Sequence, residues 1–242
     1  MTLALIISLA VFAAAVLRGL TGFGFALAAV PMMSLVIAPG QAVAIAILLQ
    51  SYIGLRDVVS LRGLANWRSL GLLAAGAIFG TPIGIWLLTL LDPDAMRVLL
   101  AGIVLIGLVA LIAKVRLPAG KGPALGAGFA AGLFSGLAAM PGPPAIAYFL
   151  GRAQNAVTTR ASLMVFFFLT SIMALPGLVV TDQIDRATFL FSLIAFPALL
   201  IGTWAGGFAF RRLNEGGYRM AAIALLALTA VLTAARGIGG LL

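Results

Sequence analysis

The sequence predicts an all-α polytopic membrane protein made of two inverted-topology repeats, each a broken helical hairpin followed by three transmembrane helices, about 8–10 membrane segments in total. Three observations carry that prediction. Of the 242 residues, 63% are apolar and 9% charged, too little charge to cover a soluble domain of this size. Uncharged runs span 1–17, 19–55, 69–91, 98–113, 122–151, 161–181, 187–210 and 220–235, several of them reaching the roughly 20 residues that cross a bilayer. The two halves of the chain also resemble each other, and the charge of their loops inverts from one to the other.

The elements follow in order. The 1–17 run has no basic residue ahead of it, so it reads as a first membrane segment rather than a secretory signal. "RGLTGFG" (18–24) then bends the chain, and 19–55 is long enough to hold more than one element. The 56–68 loop carries Arg56, Arg62 and Arg68 against Asp57; the next carries Asp92 and Asp94 against Arg97; the half ends at Lys114, Arg116 and Lys121. Basic loops stay cytoplasmic, so these read in, out, in. In the second half the bend is "SGLAAMPGPP" (135–144), the loop "TDQIDR" (181–186) is poor in basic charge and "RRLNEGGYR" (211–219) is rich in it. Those read out, then in, which leaves both termini outside. Parity requires an odd number of crossings between Lys121 and residue 181, so 122–151 contributes none or two, as a hairpin does. With arms near 16 residues, roughly 24 Å of helix, a re-entrant loop and two short spans both fit.

A shift of 114 lays "TGFG" (21–24) on "SGLA" (135–138), pairing Thr21 with Ser135, and "QAVA" (41–44) on "NAVT" (155–158). A shift of 122 then lays "GTPIG" (80–84) on "GTWAG" (202–206), Arg97 on Arg219 and Lys114 on Arg236. The implied organisation is a first repeat over 1–114, a cytoplasmic linker over 115–121 and a second repeat over 122–242.

Much chemistry is excluded. Without Cys or His the chain has no disulfide, thiolate or imidazole metal site, nor a Ser–His pair, and no cofactor is expected. The six acids, Asp57, Asp92, Asp94, Asp182, Asp185 and Glu215, fall between apolar runs, so no carboxylate pair is set up for acid–base catalysis. The net charge of +9 reads as cytoplasmic loop charge, and without basic clusters interleaved with aromatics nucleic acid is not a partner.

The bends carry the functional expectation. Irregular backbone inside a membrane is tolerated only where protein or water surrounds it. Gly22 and Gly24 permit tight geometry, while Pro141, Pro143 and Pro144 stop helices. Helices restarting at Phe25 and near Ala145 would point free amides and a positive dipole end into a shared space, which suits an anion. Arg18 and the hydroxyls of Thr21 and Ser135 are candidate donors, although Arg18 also fits as a snorkelling charge and the glycines as packing contacts. Gln50 fits an oxyanion donor or an interhelical hydrogen bond, and Arg160 a vestibule ligand or a loop charge. Tyr148 reads as an interfacial or packing aromatic. Gly76, Gly80 and Gly84, Gly128, Gly132 and Gly136, and Gly202 and Gly206 recur four apart, a spacing that lets helices approach closely.

"LRGLTGFGFALAAVP" followed by "QAVAIAILLQ", and "GLFSGLAAMPGPPAIAYFL" followed by "NAVTTRASL", resemble the two motif blocks of the TauE/SafE sulfite exporter family, also called the toluene-sulfonate uptake permeases. The resemblance runs over essentially the whole chain. It implies a bacterial inner-membrane transporter of sulfite or an organosulfur anion, with Thr21, Gly22, Phe23, Gly24 and Pro31 in the first motif and Ser135, Gly136, Gly142, Pro143 and Pro144 in the second. Many members carry glycine where this chain has Phe25 and Ala138–Ala139. The expected partners are a small anionic substrate, membrane lipid and, as an option, a second copy in a homodimer. Alternating access at a site between the bends is the expected mechanism; a passive anion channel and a non-transporting scaffold or assembly factor are the alternatives.

Overall fold

The computed structural model describes residues 2–113, 115–152, 154–210 and 215–241. They form ten helices: α1 (Thr2–Thr21), α2 (Phe25–Ser34), α3 (Pro39–Leu61), α4 (Trp67–Leu90), α5 (Pro93–Ile112), α6 (Lys121–Ala138), α7 (Gly142–Leu150), α8 (Ala156–Val180), α9 (Arg186–Phe210) and α10 (Glu215–Leu241). Seven of them, α1, α3, α4, α5, α8, α9 and α10, are long and apolar enough to cross a membrane. Helix α6 has comparable length at 18 residues, but Lys121 and the glycines along it dilute its hydropathy.

The two hairpins have unequal arms. Helix α1 has 20 residues and α2 only 10; α6 has 18 and α7 only 9. At 1.5 Å per residue the short arms reach about 15 Å, half of a hydrocarbon core of about 30 Å. Each hairpin is therefore one long helix and one short helix, not two arms of similar length. The short arms end where the next helix is started by its own signal: Pro39 opens α3, and the Asn155 side chain caps α8 by accepting from the Thr158 amide at 2.7 Å.

Two expected boundaries move. Helix α7 starts at Gly142 rather than near Ala145, because prolines fit the first helical turn, where their missing amides are not needed. Helix α3 runs on to Leu61, so Arg56 and Asp57 lie in its last turns rather than in a loop, and Asp57 is buried. No glycine or proline interrupts 55–62 to stop the helix sooner. Lys114, Arg211 and Arg212 lie outside the described residues.

The chain divides into two compact units, and each draws on both halves of the sequence. One comprises Met1–Leu49, Leu91–Leu108 and Gln183–Leu242, the other Gln50–Leu90 and Val109–Asp182. In the first unit α1 packs along α9; in the second α4 packs along α6. Glycine sets both seams. A Cβ on Gly202 or Gly206 would come within 2.6 Å of the Phe12 carbonyl oxygen or 2.1 Å of that of Val16, and one on Gly19 within 2.3 Å of that of Thr203. Along α4, Cβ atoms on Gly76, Gly80 and Gly84 would lie 2.2, 2.0 and 2.1 Å from the carbonyls of Leu125, Phe129 and Leu133. The packing reading of these glycines holds: a methyl group anywhere on the seam would strike backbone. Residue numbers rise together along both partners, so each pair runs parallel.

Helix ends correct the register between the halves. Thr21 and Ala138 close α1 and α6, Phe25 and Gly142 open α2 and α7, and Pro39 and Ala156 open α3 and α8; each pair lies 117 positions apart. These hairpin termini align at 117 rather than 114, a register that sets Ser135 against Arg18 rather than Thr21. Small residues are so abundant here that short motifs match at several shifts, whereas helix termini match at one. The later shift of 122 agrees with the helix starts at Pro93 and Glu215 and with Gly80 and Gly202 on the two seams.

Candidate functional site

The first bend closes α1 and opens α2 with two left-handed residues, Gly22 (φ 81°) and Gly24 (φ 87°). Side chains rarely adopt that conformation, which accounts for glycine at both places. The Gly22 amide donates to the Arg18 carbonyl at 2.7 Å. Thr21 is committed locally: its hydroxyl faces the carbonyls of Leu17, at 2.9 Å, and of Phe23, and accepts from the Phe23 amide at 3.2 Å. The hydroxyl thus staples the bend, a role the donor expectation did not foresee. In α2 the first amide with a helical acceptor is that of Ala28, which donates to the Gly24 carbonyl at 3.3 Å. The amides of Phe25, Ala26 and Leu27 precede it and have no acceptor within the helix. They are the donors this bend offers to an anion. Arg18, one turn before the bend, is 7% exposed and engaged within the fold, so it is not a side chain reaching out to a headgroup.

The second bend is built from other parts. Ala139 takes the left-handed conformation (φ 58°) at the end of α6, a non-glycine residue in the place of Gly22. Its amide donates to the Ser135 carbonyl at 2.8 Å, and that of Met140 to the Phe134 carbonyl at 3.0 Å. The Gln50 side-chain amide donates to the Ala139 carbonyl at 3.3 Å. Gln50 is therefore brought to the bend through an interhelical hydrogen bond. The Ser135 hydroxyl is 1% exposed and has no hydrogen-bond partner within the protein; the fully buried Thr81 hydroxyl on α4 has none either. Gly136 faces α4, where a Cβ would lie 2.2 Å from the Thr81 carbonyl, so packing accounts for it. Because Pro143 and Pro144 fill the first turn of α7, only Gly142 among its first three residues carries an amide.

Arg160 stands in the second turn of α8, past the end of α7 opposite the bend, half-buried and engaged by neighbours. Tyr148 is a core residue: fully buried, it accepts a hydrogen bond from Arg152 and lies 5.3 Å beneath its guanidinium. Sequence reasoning missed Ala139, since an alanine gives no sign of a left-handed backbone unless the register is known.

A family model described as "Sulfite exporter TauE/SafE" matches residues 7–233. A "Probable sulfite/organosulfonate exporter TauE" from Cupriavidus necator is 27% identical over 147 residues, which cover 58% of this chain and 57% of that protein. No solved structure matches the chain.

Proposed function

From a chain that belongs to the TauE/SafE sulfite exporter family, we propose a secondary transporter that exports a small anion, sulfite or an organosulfonate or other organic oxyanion, across the bacterial inner membrane by alternating access. The observation that carries the anion reading is the first bend, where three adjacent helix amides without helical acceptors open behind two left-handed glycines inside an apolar run. At the first bend the proposed substrate residues are Arg18, Thr21, Gly22, Phe23 and Gly24. At the second bend they are Gln50, Ser135, Gly136, Gly142, Pro143 and Pro144, where the buried Ser135 hydroxyl has no hydrogen-bond partner within the protein. Arg160 is assigned a separate role as a vestibule charge.

Both termini lie outside in this reading. The parallel pairs α1–α9 and α4–α6 support it, because the loop charges assign one common direction to the first pair and one to the second. An inside-negative potential favours expulsion of a monoanion by about 2.3 kcal/mol per 100 mV, enough to drive export without a buried carboxylate couple. The test is flux in sealed proteoliposomes with sulfite, sulfoacetate and taurine compared, at zero and imposed potential. Saturable flux with counter-transport is expected. Flux without saturation marks a channel, and flux of none of the three defeats the anion reading.

A further inference from the structure

The C-terminus of α2 is accounted for atom by atom. Its last four carbonyls lie beyond the intrahelical amide ladder and need other partners. The Pro31 carbonyl accepts the Ser34 hydroxyl at 2.8 Å, that of Met32 the Leu35 amide at 3.4 Å, and that of Met33 the amides of Val36 and Ile37, both at 3.0 Å. The Ser34 carbonyl, on a residue that is 0% exposed, accepts from Nε of Arg97 on α5, 2.9 Å away. The same guanidinium reaches the Asp94 carboxylate through Nη1 at 2.5 Å, and its side chain is 12% exposed. Helix α10 closes over the pair with glycine. A Cβ on Gly237 would come 2.9 Å from the Arg97 Cβ, and one on Gly240 2.3 Å from the Asp94 carboxylate. A guanidinium at a helix C-terminus also complements the negative end of the dipole. Helices α2, α5 and α10 thus meet around the Arg97–Asp94 pair.

We propose that Arg97 is a positioning residue of the transport site. Oriented by Asp94, it latches the C-terminus of the short helix α2 and so fixes where the opposite end presents Gly22, Gly24 and the amides of Phe25, Ala26 and Leu27. A helix of 10 residues moves as a rod, so releasing one end displaces the other. This rests on the proposed transport reading, in which the α2 N-terminus meets the anion.

The chain contains no cysteine, so single thiols can be introduced without background. Ser34→Cys reports the latch and Ser171→Cys, on α8 and 1% exposed, reports the fold at large. Both are followed by labelling with a water-soluble maleimide in proteoliposomes, alongside sulfite flux. Arg97→Gln is expected to label Ser34→Cys at least fivefold faster, leave Ser171→Cys unchanged and lower flux about tenfold. Arg97→Lys, which keeps a charged donor, is expected to recover flux to within about threefold. Gly240→Ala, which pushes Asp94 aside while leaving Arg97 and Ser34 in place, is expected to reproduce part of the Arg97→Gln labelling. Unchanged labelling at Ser34→Cys, or equal acceleration at Ser171→Cys, overturns the proposal. Absence of flux of sulfite, sulfoacetate and taurine alike in the unsubstituted protein defeats the transport reading instead, and the labelling still decides whether the latch exists.

Discussion

The two short hairpin helices, α2 and α7, nearly match in length and in placement in the chain but differ in what fronts and holds them. Helix α2 follows two left-handed glycines, shows three amides at its first turn, and is held at its far end by an arginine side chain. Helix α7 follows a left-handed alanine, shows one amide, that of Gly142, ahead of two prolines, and is held near its far end by backbone, the Leu117 amide donating to the Ala147 carbonyl at 2.9 Å. One backbone plan is thus executed as a polar, donor-rich end and an apolar, proline-stiffened end. Two bends of the same shape present different chemistry: the first a row of helix amides, the second a proline-stiffened turn.

The largest effects should come from what the two units share. Gly80→Leu and Gly206→Leu each drive a side chain into backbone, and each should cost about 3 kcal/mol or more, read as loss of the folded fraction in detergent melting. If only one is damaging, the seams are not equivalent. Next comes an exchange of amides between the bends. Ala26→Pro and Pro143→Ala occupy matching places in the 117 register. The first removes a donor where the anion is proposed to bind and should cut sulfite flux tenfold or more, from the roughly 1.5–3 kcal/mol expected for one hydrogen bond to a charged group. The second should leave flux within about twofold; a loss as large as that of Ala26→Pro would erase the asymmetry.

Smaller and opposite in sign are the effects at the left-handed residues. Gly24→Ala should destabilise by about 1–2 kcal/mol, since its Cβ would find ordinary space beside Leu17 and only the backbone is strained. Ala139→Gly should stabilise by about 1 kcal/mol, because the alanine already bears that strain. Paired melting curves test both signs. The smallest effect concerns pH. The Thr188 hydroxyl, and then its amide, hold the exposed Asp185 carboxyl below the usual carboxylate range. A depressed folded-state value adds stability above the unfolded value of about 3.9, and that stability is lost as pH falls from there through the lower folded-state value. Melting temperatures of the native chain and Asp185→Asn should therefore differ slightly at pH 6 and converge below about pH 4.

Composition and period made much of this legible. The uncharged runs located the spans, the four-residue glycine spacing announced the seams, and the breaks at Gly22, Gly24 and Pro141–Pro144 located both bends. What the sequence could not convey depended on backbone. Arg97 looked like a loop charge because its acceptor is a carbonyl 63 residues away, and a carbonyl has no letter in the sequence. The register failed for a related reason: Gly22 and Ala139 share a dihedral angle, not an identity. Asp57 was misplaced because helix α3 outruns its apolar stretch, and charge alone does not end a helix.

The crossed seams also set an order of assembly during synthesis. Every helix of the Gln50–Leu90 and Val109–Asp182 unit has emerged once α8 is complete. Helix α1, by contrast, cannot meet α9 until Arg186 and the residues after it are made, about 165 residues beyond its own end. At 5–20 residues per second that is a wait of roughly 8–33 s. Throughout it, the face of α1 around Gly19 lacks its mate, and the unit that begins first is the one that closes last.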